Sequence, residues 1–118
     1  MIVLVCGGRD YQDRRVVFDT LDRLHEREGV SLLIEGGARG ADRFAREWAQ
    51  ERGCPYRTFC AQWKKYGKSA GPIRNAEMLR FGKPQLLVAF PGGAGTENMI
   101  DQANAAGVDV LQPIPIEA

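Results

Sequence analysis

Short apolar runs of β type alternate with amphipathic segments along the chain, and this alternation limits the possible folds more than any other feature. The runs are Ile2–Cys6, Val30–Ile34, Tyr56–Cys60, Leu86–Phe90 and Val108–Leu111. The first, second and fourth are almost unbroken apolar stretches, as in strands covered on both faces of a parallel sheet. The fifth is short and is followed by Pro113 and Pro115, which suits an edge strand. Four helices fit between the runs. Asp13 can cap the first, where Val17, Leu21 and Leu24 form a stripe before Gly29. The second carries Ala41, Phe44, Ala45, Trp48 and Ala49 on one face and closes at Gly53. The third opens with Gly71-Pro72 and ends at Gly82-Lys83-Pro84. The fourth begins near Thr96 and ends at Gly107. The expected fold is α/β: an open, five-stranded, mostly parallel sheet with right-handed crossovers and helices on both faces, in three layers. A chain of 118 residues fits one domain, expected over residues 1–118. Ala61–Ser69 reads as an irregular link.

Composition narrows the function. A net charge of +1 argues against a protein that coats nucleic acid by bulk charge, so a nucleic-acid partner is disfavoured. No apolar stretch approaches the ~20 residues of a membrane span, and Met1 leads straight into an apolar run without a basic leader, so no membrane role is expected. Cys6, Cys54 and Cys60 include no CxxC pair; free thiols in a reducing cytoplasm are the simplest reading. His25 is the only histidine, placed among charged residues on a wet helix face, so no zinc cluster, metal or cofactor is expected. Ser31 and Ser69 are the only serines and neither lies in GxSxG, which disfavours a serine hydrolase. Cys6 reads as a buried structural cysteine, and the Phe44/Trp48 stripe as core or subunit interface.

Chemistry is expected where strands end in glycine pairs. Open α/β sheets bind ligands beyond the carboxyl ends of their strands. Three strands run into Gly7-Gly8-Arg9-Asp10, Gly36-Gly37-Ala38-Arg39-Gly40-Ala41-Asp42 and Pro91-Gly92-Gly93-Ala94-Gly95-Thr96. Each loop alone admits a packing explanation. Three at one sheet edge point to a phosphate or nucleotide pocket, because glycine loops that feed helices aim free amides and a positive helix end at an anion. Neither familiar phosphate fingerprint is present. Asn98 stands where GxGxxG needs its last glycine, and Gln62 where a Walker A loop ending at Gly67-Lys68-Ser69 needs its first.

Individual residues carry paired readings. Gly92, Gly93, Gly95 and Thr96 can hold a phosphate at the fourth helix, or Thr96 is an N-cap. Arg74 and Asn75 lie in the first turn of the third helix, where a cation opposes the dipole; they read as phosphate or ribose contacts, or as surface groups. Arg9 and Asp10 read as ribose or base contacts or as a turn. Asp42 is a binding residue or a helix-start acid, and Arg39 the better anion contact. Trp63 and Tyr66, among Lys64, Lys65 and Lys68, stack on a base or pack over the third helix.

The glycine loops, with Trp63-Lys64-Lys65-Tyr66-Gly67-Lys68, AGPIRNxEM over Ala70–Met78 and PGGxGT over Pro91–Thr96, resemble the YspA-like branch of the SLOG superfamily. That resemblance spans nearly the whole chain. It implies a Rossmann-like fold, a nucleotide or nucleotide-derived ligand such as a nucleoside monophosphate, ADP-ribose or an NAD-like molecule, and a homo-oligomer, a dimer first of all. The superfamily includes the Lonely Guy phosphoribohydrolases and the DNA-processing DprA proteins. The Lonely Guy resemblance carries its catalytic arginine to Arg74, while the glutamate of PGGxGTxxE falls on Met99. Glu97 is about 200° away around the helix. Three functions follow: a nucleotide-binding module; a hydrolase of the nucleotide N-glycosidic bond, with Arg74 and one of Glu77, Glu97, Asp10 or Asp42 as catalytic candidates; and DprA-like binding of single-stranded nucleic acid through Trp63–Lys68.

Overall fold

The computed structural model describes residues 1–113. Its strands are β1 Ile2–Cys6, β2 Leu32–Glu35, β3 Tyr56–Thr58, β4 Leu86–Ala89 and β5 Asp109–Leu111. Its helices are α1 Arg14–Glu28, α2 Ala41–Arg52, the single turn α3 Trp63–Tyr66, α4 Ala70–Gly82 and α5 Ala94–Ala105, with a 3-10 turn at Gly67–Ser69 leading into α4. The strands form one parallel sheet in the order β3-β2-β1-β4-β5. It is a Rossmann-like α/β fold, and the order reverses between β1 and β4.

Alternate side chains of each strand enter two separate cores, as the pleat dictates. Val3, Val5, Leu33 and Val88 pack with α1 and α2, around Val17, Leu21, Ala45 and Trp48. Leu4, Ile34, Leu87 and Ala89 pack with α4 and α5, around Met78, Met99 and Ala103. The Trp48 indole is fully buried, and its N–H donates to Asp22 at 2.7 Å, so this aromatic is core rather than interface. Arg52 grips the same carboxylate at 2.9 and 3.0 Å, and these hydrogen bonds hold Asp22 below the usual carboxylate range. His25 Nδ1 accepts the Val30 amide at 2.9 Å and closes the end of α1.

Element ends differ from expectation for local reasons. Val30 is buried, yet the chain is still turning there. Ladder pairing starts at Leu32, and Glu35 belongs to the strand because it pairs with Thr58. Val108 closes α5, its amide donating to the Ala103 carbonyl at 2.9 Å, so β5 starts one residue later. The expected irregular link holds a helical turn, with the Lys65 and Tyr66 amides both donating to the Gln62 carbonyl at 3.0 Å. Gly67, at φ +57°, ends it. Pro113 follows β5, and Pro115 lies outside the described residues. Among the described residues no helix is long and apolar enough to cross a membrane.

Candidate functional site

The loops after β1, β2 and β4 meet at the carboxyl edge of the sheet, and much of their glycine is used in packing against one another. The Gly8 amide donates to the Pro91 carbonyl at 2.9 Å, and the Gly8 carbonyl accepts from Tyr11 at 3.2 Å and Ala41 at 3.3 Å. A side chain at Gly40, where φ is +76°, would run into the Gly8 and Arg9 carbonyls. One at Gly92 would run into Thr96 and Gly8. A Gly7 Cβ would stand 3.0 Å from that of Phe90. Gly7, Gly8, Gly40 and Gly92 therefore let three loops share one small space. Gly93 and Gly95 face open space instead. No side chain caps α5, so the amides of its first turn have no helical partner. The cap position is Gly93; Thr96 is the third helical residue and is buried.

A cleft of about 420 Å³ opens beside this junction, lined by Arg9, Gly36 to Arg39, Cys60, Ala61, Trp63 and Arg74. Its size falls within the range of small-molecule sites. Arg74 is the fifth residue of α4 and lies beyond the first turn expected for it, because the helix opens at Ala70, ahead of Gly71-Pro72. Its Nε donates to Asn75 Oδ1 at 2.9 Å and its Nη1 to the Gly36 carbonyl at 2.6 Å. Both acceptors are neutral, so the guanidinium is positioned without being neutralised. Among the described residues Arg74 and Arg9 form no ion pair. Arg9 lies 5.2 Å over the half-exposed Trp63 ring. Arg39 pairs with Asp10 at 3.2 Å, but both are exposed, so this contact is weak. Asn75 is buried and donates to Asn98 Oδ1 at 3.1 Å and the Gly95 carbonyl at 3.4 Å. Through this neighbouring pair, α4 touches both the β2 loop and the start of α5.

Two buried carboxylates stand behind the β2 loop. Glu35 is fully buried; it accepts the Gly37 amide at 2.7 Å and the Thr58 hydroxyl. Asp42, from the first turn of α2, accepts the Ala38 amide at 3.2 Å. The Gly37 and Ala38 amides are thus engaged within the protein, unlike the first-turn amides of α5. Burial, and secondarily the charge of Glu35, push the Asp42 carboxyl up to about 7. A Cβ on Gly36 would stand 2.6 Å from Arg74 Nη1 and 3.0 Å from Asp42 Oδ2, so only glycine fits between them. Cys6 lies against the same cluster; burial, then Asp42, push its thiol up to about 12.

The structure thus brings Arg9, Arg39, Arg74 and Trp63 together around the cleft, with Asp10 exposed against Arg39, Asp42 behind the cleft wall and Gly93, Gly95 and Asn75 beside it. Tyr66 and Glu77 line a smaller recess on the far side of Arg74. Glu97 is exposed on α5, and Pro91 is exposed at the loop start. Met99, at the position of the Lonely Guy glutamate, is fully buried in core. Sequence reasoning missed Glu35 and Cys60 as site residues. A glutamate that ends an otherwise apolar run directly before Gly36-Gly37 was the available signal for the first. For Cys60 there was none, because its place depends on how α3 folds back.

The family model for the YspA, cpYpsA-related SLOG family matches residues 1–66, from β1 through α3. Gene 61 protein of Mycobacterium phage D29 is 38% identical over 117 residues, covering 92% of this chain and 93% of the phage protein. The chain belongs to the YspA, cpYpsA-related SLOG family.

Proposed function

We propose that the protein binds a nucleotide or nucleotide-derived ligand, such as a nucleoside monophosphate, ADP-ribose or an NAD-like molecule, at the carboxyl edge of its sheet. The observation that carries this reading is Arg74: a guanidinium held by two neutral acceptors, free of any ion pair among the described residues, at the wall of a cleft. An arginine with planar donors left over suits a phosphate. Arg9 and Arg39 add positive charge, and the exposed Trp63 face offers a stacking platform for a base. The open first turn of α5 at Gly93 to Thr96 is a second place for negative charge. SLOG membership supports a nucleotide-related role. Thermal-shift screening with AMP, NAD and ADP-ribose tests the reading: stabilisation by at least one is expected, and none by any of the three contradicts it.

A second reading, hydrolysis of a nucleotide N-glycosidic bond, draws on Asp42. A carboxyl raised to about 7 near an arginine is in the range where a side chain both takes up and gives back protons. Release of free base from nucleoside monophosphates separates an enzyme from a binder.

A further inference from the structure

We propose that the site takes up its anionic ligand together with a proton, which is held on Asp42. This rests on the nucleotide reading above and adds a regulation of that same site.

Glu35, Asp42 and Arg74 form an enclosed cluster behind the Gly36 to Ala38 loop. Glu35 of β2 is fully buried and accepts the Gly37 amide and the Thr58 hydroxyl of β3. Asp42 of α2 is 5% exposed and receives the Ala38 amide at 3.2 Å. Arg74 of α4 is the cation beside Asp42: its Nη1 and Asp42 Oδ2 both abut Gly36, and its charge acts on Asp42. Cys6 of β1 also faces the cluster and keeps its proton. On its other side, α2 packs against the apolar core of α1. Asp42 therefore has Glu35 and Arg74 as its charged neighbours.

A phosphate on Arg74 adds negative charge to this enclosed group and occupies the cation that served Asp42. Like charges at short range in a poorly solvated site cannot all stay ionised, so one acid takes a proton. Asp42 is that acid, because its carboxylate meets the Arg74 guanidinium across Gly36 and burial already raises it to about 7. His25, the only histidine, is engaged with Val30 at the end of α1, away from this cluster. Ligand binding then draws in a proton, and affinity falls as pH rises through neutrality.

The test is calorimetric titration of ADP-ribose into the wild-type protein and Asp42→Asn, at about pH 6, about pH 7 and about pH 8.5, each in two buffers of different ionisation heat. The ADP-ribose pyrophosphate keeps its charge over this range, whereas a monophosphate would titrate near ~6 itself. Expected for the wild type are a Kd about tenfold weaker at the higher pH, which is one unit of coupled shift, and net proton uptake near pH 7. Expected for Asp42→Asn are a Kd that does not follow pH and no proton uptake. Wild-type binding without proton uptake overturns the proposal even if the variant fails to fold. A variant that keeps the wild-type pH dependence overturns it as well, and in both cases the nucleotide reading stands. Absence of binding at all three pH values by ADP-ribose, and by AMP and NAD in its place, removes that reading and the proposal with it.

Discussion

Arg74 Nη1 donates to the carbonyl of Gly36 at 2.6 Å, and this hydrogen bond ties the start of α4 to the loop after β2 at the wall of the cleft. Here two side-chain nitrogens are fixed by neutral acceptors on different elements, which holds the group in place for a ligand's charge.

Arg74→Lys and Arg74→Ala should both weaken ADP-ribose binding at least tenfold. A lysine ammonium lacks the planar fork that reaches Asn75 and Gly36 together, so charge alone does not restore the contact. Calorimetric titration checks this. Recovery of wild-type affinity by Arg74→Lys would show that only charge matters.

Gly36 and Gly93 should respond oppositely to an added side chain. Gly36→Ala forces a methyl group against Arg74 and Asp42, and should cost about 1–3 kcal/mol of stability along with ligand binding. Gly93→Val meets open space, so its melting temperature should stay close to wild type while affinity drops. Melting curves and titrations of the two variants separate these outcomes. A Gly93→Val protein that binds normally places the anion away from the α5 turn.

The three thiols should differ sharply toward alkylation. Cys6 is buried and its thiol is pushed up to about 12, Cys54 is also buried and raised, and Cys60 is exposed in the cleft. The thiolate is the reactive form. Iodoacetamide at about pH 8 should label Cys60 first in the native protein, and ADP-ribose should slow that labelling. Peptide mass spectrometry reads the site. Equal labelling of Cys6 would contradict the burial described here.

Asp42 should make stability fall as pH rises. Its carboxyl lies near 7 when folded and near 3.8 when unfolded, so between these values the folded state holds more protons. The burial penalty is absent below about pH 4, grows through the interval and is complete above about pH 7. Asp42→Asn removes it. The stability gap between variant and wild type should widen from about pH 5 to about pH 8, up to roughly 4 kcal/mol at 1.36 kcal/mol per unit. Denaturant unfolding at both pH values measures the gap; a constant gap would mean that Asp42 is ionised throughout.

The β-type runs and helical stripes made the layered fold legible, because apolar periodicity records which faces are covered. Val3 and Val5 against Leu4 show it, alternating between two cores. Trp63 was also legible, as an aromatic among lysines; Arg74 was singled out for a first-turn position that it does not have, since α4 opens at Ala70. The division of labour among the glycines was not. Gly8 and Gly92 serve mutual packing while Gly93 and Gly95 stay open, and only the crossing of three distant loops decides which is which. Glu35 was hidden for a similar reason: its partners are a loop amide and Thr58 on a neighbouring strand, so its burial is a tertiary fact.

Ligand binding at the carboxyl edge of the sheet is tested by titrating ADP-ribose into the ¹⁵N-labelled protein and following its amide and indole resonances. Saturable shifts are expected, concentrated at Gly36 to Arg39, Arg9, the Trp63 indole and the amides around Arg74. An unchanged spectrum at millimolar nucleotide, or shifts confined to surfaces away from the carboxyl edge of the sheet, would contradict it.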